Sequence, residues 1–118
     1  MTDKQYIFPN CDCRRDADYL AQEFFNSIHI QGYFVGALRN MVKRFGVVIN
    51  DEYCLFPDRD SDESDEHFDG VKFGAFNNDV IIPEAVCAAY IDQACAAYRF
   101  LHPEDIAEID NILRSRLF

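Results

Sequence analysis

Residues 68–82 read FDGVKFGAFNNDVII and residues 83–101 read PEAVCAAYIDQACAAYRFL, and the apolar spacing switches at Pro83 from a strand-like to a helix-like repeat. Phe68, Val71, Phe73 and Phe76 form an irregular alternation interrupted by Gly70 and Gly74, which reads as a strand with local distortion. Asn77-Asn78-Asp79 has the chemistry of a turn, and Val80-Ile81-Ile82 returns as the second arm of a hairpin. Pro83 and Glu84 then suit the first turn of a long helix, where a missing N–H costs nothing and negative charge is favoured. Val86, Tyr90, Ala94, Tyr98 and Leu101 are the expected buried stripe of that helix. His102-Pro103 breaks it, and a last helix follows with Ile106, Ile109, Leu113 and Leu117 on one face.

Working upstream, residues 16–30 place Leu20, Phe24 and Ile28 four apart behind Asp16 and Asp18, the pattern of a helix with acids at its positive end. After Gln31-Gly32 a second helix is expected over about residues 33–45, with Phe34, Leu38, Met41, Val42 and Phe45 inward and Gly46 as its stop. Val47-Val48-Ile49 is β-branched and short, with residues 53–56 as its partner strand. The order predicts an α+β fold over residues 1–118 as one domain. Its sheet is small and antiparallel, of about three or four strands, flanked by about four helices, two before it and two after.

The chain has 118 residues with 49% hydrophobic side chains, enough to build a core without metal or disulfide support. Eleven bases against 21 acids give a formal charge of −10. That disfavours direct nucleic-acid binding, which depends on neutralising phosphates, and docking on an anionic membrane surface. No apolar run approaches the roughly 20 residues of a membrane span, and the start lacks the apolar stretch of an export signal. With five scattered cysteines (Cys11, Cys13, Cys54, Cys87, Cys95), the chain is expected to sit in the cytoplasm with reduced thiols.

The charge is concentrated in one place. Residues 51–69 hold nine acids (Asp51, Glu52, Asp58, Asp60, Asp62, Glu63, Asp65, Glu66, Asp69) against Arg59, a net −8, which leaves −2 for the other 99 residues. The run DRDSDESDEH at 58–67 cannot enter a core and must form an exposed loop. A solvated loop that only aids solubility is one reading. A calcium loop is another, since Asp58, Asp60 and Asp62 fall at alternate positions of an EF-hand register. Glu63 stands where that turn needs glycine, however, and Asp69 where it needs a bidentate glutamate. The third reading is a docking surface for a basic protein, where opposite fields speed encounter. Phosphate-cradling glycines, a nucleophile elbow and metal-spaced histidines are all missing, so no catalytic residue, cofactor or metal ligand is assigned. Cys87 and Cys95 read as small core residues.

The succession CLFP, acidic run, FDGVKFG, DVIIP and YRFLHPEDIAEIDNIL, with FFNSI at 24–28, resembles the immunity proteins that neutralise ribonuclease toxins in bacterial contact-dependent growth inhibition (CDI). The resemblance spans about residues 24–113. It implies a non-enzymatic cytoplasmic protein that binds the C-terminal ribonuclease domain of a cognate toxin, a basic partner. On this reading Asp58, Asp60, Asp62, Glu63, Asp65 and Glu66 hold the toxin, and Phe56 and Phe68 anchor the loop or pack in the core. Asp51 and Glu52 join the same face if their strands fold back as a hairpin. The competing class is a non-inhibitory acidic adaptor that responds to a cation.

Overall fold

The computed structural model describes residues 6–9, 18–58, 62–64, 67–76 and 78–118, and within them four strands form one antiparallel sheet between two pairs of helices. The order is α1 (Tyr19–Ile30), α2 (Phe34–Met41), β1 (Val47–Ile49), β2 (Glu52–Leu55), β3 (Val71–Ala75), β4 (Asn78–Ile82), α3 (Glu84–Leu101) and α4 (Ile106–Arg114). Each strand pairs with its neighbours in sequence, so the sheet is a meander in the order β1-β2-β3-β4. The α+β class and the two-plus-two helix arrangement expected from the sequence are what the chain adopts.

The alternation of β3 explains the layering. Val71, Phe73 and Ala75 face inward and are buried, and Phe73 lies opposite Cys54 on one side and Val80 on the other. Helix α1 covers this face with Leu20, Ala21, Phe24, Phe25 and Ile28. The Phe73 ring sits 5.6 Å from Phe24 and 6.0 Å from Phe25, in the tilted geometries that aromatic quadrupoles favour. On the other face the Tyr53 ring lies across Gly74, where a Cβ would come 2.2 Å from its Cζ and push the ring aside. Gly70 enters β3 at φ +109°, and a Cβ would meet the Ile82 carbonyl oxygen at 2.2 Å, so only glycine fits.

Several helix boundaries differ from expectation. Helix α2 ends at Met41, and the stop is Arg44 at φ +61°, not Gly46. The Phe45 N–H donates to Asn40 and the Arg44 N–H to Met41, the double closure usually built on glycine. Arg44 is held there by a two-point ion pair with Glu84, both bonds at 2.9 Å, and lies over the Phe118 ring. Phe45 is therefore turned out and is 60% exposed. In α3 the buried stripe is Cys87, Ile91, Ala94, Cys95 and Tyr98, rotated from the one expected, and Val86 faces solvent. In α4, Ile109 and Ile112 are buried while Ile106 and Leu117 are exposed.

The cysteines at 54, 87 and 95 are free and buried, and burial pushes Cys87 and Cys95 up to about 12, which makes them inert packing groups. Cys11 and Cys13 lie outside the described residues, as do Asp16, Arg59 and Asn77. An N-terminal segment also packs on the helical layer. Asn26, buried in α1, accepts from the Phe8 N–H at 2.7 Å and donates to the Phe8 carbonyl at 3.1 Å, and Ile7 enters the core. Among the described residues no helix is long and apolar enough to cross a membrane.

Candidate functional site

A meander alternates its connections between the two ends of the sheet, and this separates the acidic residues into two groups. The β1–β2 turn (Asn50, Asp51) and the β3–β4 turn (Phe76 onward) lie at one end. The connection from Phe56 to Gly70 lies at the other. β1 and β2 do fold back as a hairpin, and Asp51 and Glu52 sit at its tip, at the opposite end of β2 from the stems of the 56–70 connection. Between them stands the length of β2, roughly 10 Å of extended chain.

At the connection end, Asp58, Asp62 and Glu63 are exposed. Asp60, Asp65 and Glu66 lie outside the described residues. The flanking aromatics pack locally. Phe56 is half-buried against Phe118, ring centroids 5.8 Å apart, and the Lys72 ammonium stands 4.7 Å over the Phe68 ring. These contacts fasten both stems of the connection to the sheet and leave the carboxylates described between them facing solvent.

The turn end is a built concavity. A groove of about 370 Å³ opens between α1 and the two turns, lined by Tyr6, Glu23, Asn26, Ser27, Ile30, Asn50, Asp51, Glu52, Ala75 and Phe76. Glu52 is half-buried, and its carboxylate accepts a 2.5 Å hydrogen bond from the Ser27 hydroxyl. Burial raises the Glu52 pKa above the usual carboxylate value, the Ser27 bond works against this, and the charge of Glu23 adds to it. The Phe76 N–H donates to the Asp51 carbonyl at 3.2 Å, which locks the two turns side by side. Both turns use the left-handed region: Asn50 at φ +53° and Phe76 at φ +57°. Asparagine tolerates it, whereas a bulky aromatic pays strain there. Phe76 is nonetheless 77% exposed, so the strain is not offset by burial.

Among the described residues no three His, Cys, Asp or Glu side chains converge to hold a metal ion. What the two ends offer is surface. A sequence model of the CDI immunity protein family matches residues 17–113, from just before α1 to the penultimate residue of α4. The chain belongs to the CDI immunity protein family. The match includes both acidic groups, the whole sheet and all but the last residue of the four helices. No curated protein matches the chain. Membership of this family implies binding of a cognate CDI toxin.

Sequence reasoning singled out Asp51 and Glu52 but not their companions in the groove. Glu23 belongs to no motif, Ser27 appears only inside the FFNSI string, and Phe76 reads only as the last member of the irregular alternation from Phe68. The one available signal was the string Phe76-Asn77-Asn78-Asp79, an aromatic abutting residues that prefer turns.

Proposed function

We propose that this CDI immunity protein acts in the cytoplasm, where it inhibits a cognate toxin that is a ribonuclease by covering the toxin's RNA-binding surface with the carboxylates of the 56–70 connection. Asp58, Asp60, Asp62, Glu63, Asp65 and Glu66 supply the contact. The observation that carries this reading is the charge distribution: a net −6 within residues 56–70, seven acids against Arg59, beside −4 for the rest of the chain. A nuclease must present basic groups to a phosphate backbone, and a dense carboxylate surface competes for the same groups. No reaction is needed, only affinity beyond that of the RNA. A nanomolar complex corresponds to about −12 kcal/mol, within reach of an ordinary interface with a few strong charge pairs.

The test is reversal of Asp60, Asp62 and Asp65 to Lys, with binding to the toxin domain encoded beside this gene measured at low and high salt. Loss of affinity by a factor of at least 100 at low salt, with a flattened salt dependence, is expected. Unchanged affinity would remove the connection from the mechanism. RNA cleavage by the toxin domain, and its arrest by the wild-type protein, checks the ribonuclease assignment separately.

A further inference from the structure

The groove at the turn end is not explained by the acidic connection, and its composition is specific. Three carboxylates, Glu23, Asp51 and Glu52, share it, and no Lys, Arg or His is among its described lining residues. Glu23 and Glu52 are close enough for the charge of one to disfavour ionisation of the other, so a positive group entering the groove gains from both. A metal ion is a poor fit, because no three ligating side chains come together among the described residues. Asn26, Ser27 and Asn50 add polar groups, and the wall also carries outward-facing apolar side chains: Phe76, Ile30 (42% exposed) and Tyr6 (42% exposed). Acids beside exposed apolar surface match a cation with a hydrocarbon stem and a flat head. The stem lies along apolar side chains while the head meets carboxylates and can stack on an aromatic face. Arginine joins a long stem to such a flat head, with five donors in a fixed fork.

We propose that this groove receives an arginine side chain of the cognate CDI toxin, with the guanidinium on the carboxylate-lined side of the groove and the stem against Phe76. The assignment rests on the family's toxin partner and is independent of the 56–70 connection. Geometry allows both contacts in one complex. A standard interface covers about 800 Å² per partner, broad enough to reach across the roughly 10 Å of β2. The position of Phe76 fits the same picture. A strained aromatic exposed to solvent is available to a partner, and large aromatics are the usual anchors of binding energy.

The experiment measures affinity for the purified cognate toxin domain, and melting temperature, for wild type, Phe76→Gly, the double variant E23Q/D51N, and the triple Lys reversal in the connection. Glycine is at ease at φ +57°, so Phe76→Gly is expected to melt at or above the wild-type temperature while binding at least tenfold more weakly. E23Q/D51N alters two exposed carboxylates, so it is expected to keep its melting temperature and also lose at least tenfold. Among toxin Arg→Ala variants, one is expected to lose affinity for wild type but nothing further against Phe76→Gly, the signature of a shared contact. Binding of both groove variants within twofold of wild type would overturn the inference, and a loss confined to the triple reversal would leave the connection as the sole contact. A loss confined to the groove variants would uphold the groove and sink the connection. If Phe76→Gly melts lower, Phe76 belongs to the fold, and E23Q/D51N alone then decides. Absence of any coupled toxin arginine overturns the choice of occupant.

Discussion

The two ends of the sheet carry the same charge in opposite ways. At the connection end the described carboxylates are exposed on a long excursion, whose stems pack through Phe56 on Phe118 and Phe68 under Lys72. At the turn end one carboxylate is fixed: Glu52 is half-buried and held by Ser27, while the exposed Glu23 and Asp51 line the same concave wall, where the Asp51 backbone is tied to Phe76. Exposed charges act mainly on encounter and are screened by salt, whereas partly buried ones act on the lifetime of a complex. Net charge alone therefore does not locate a binding site; the fixing of the charged groups matters as much as their number.

The largest expected effect tests whether both ends depend on one scaffold. Phe73→Ala removes the ring that contacts Phe24 and Phe25 and is expected to cost about 3–5 kcal/mol, with both ends lost in a single urea transition. Next is Asn26→Leu, which strands the Phe8 N–H and carbonyl at the groove's margin. About 1–3 kcal/mol of stability is expected to go, together with faster amide exchange around residues 7–9 while the connection end is unaffected.

Smaller still is Glu52→Gln. The folded protein holds the Glu52 carboxyl above its unfolded value, so the folded state binds the extra proton and stability falls as pH rises through the carboxylate range. Glu52→Gln is thus expected to melt higher than wild type at pH 7, with the gap closing as pH falls below the unfolded carboxylate value. Half-exposure keeps the gain under about 1 kcal/mol. Glu84 is the opposite case: its bond with Arg44 lowers its pKa, so its contribution is present at neutral pH and lost on acidification. The smallest effect belongs to the connection end, where Asp62→Asn is expected to change stability by no more than about 0.5 kcal/mol. A larger stability change at Asp62 than at Glu52, by melting at neutral pH, would invert the comparison.

Much of the fold was legible because the apolar periods are clean. Phe24, Phe73 and Ile82 sit where alternation and helical spacing put them, and Pro83 marks the switch between the two. The misplaced stripe of α3 has a physical cause. Alanines and cysteines on two sides of that helix leave the aromatic residues as the visible signal, and Tyr90 points to the margin of the core instead of its centre. The end of α2 was hidden because an arginine fills a glycine's role, made tolerable by Glu84, forty positions away. Of the candidate site, the acidic run was plain from composition. The groove was not, since Glu23, Ser27, Asp51 and Phe76 meet only through the pairing of strands, and no local spacing encodes that meeting.

The meander has a consequence for speed. Because every strand joins its immediate predecessor, assembly of the sheet requires two tight turns and one longer excursion, and no crossover must wait for a distant segment. Chains with such local wiring refold quickly, on the order of milliseconds for mixed α/β domains of this size. A protector made afresh in a dividing cell is thus ready soon after it leaves the ribosome, and lengthening the 56–70 excursion twofold would delay its readiness only slightly, since closure entropy grows with the logarithm of length.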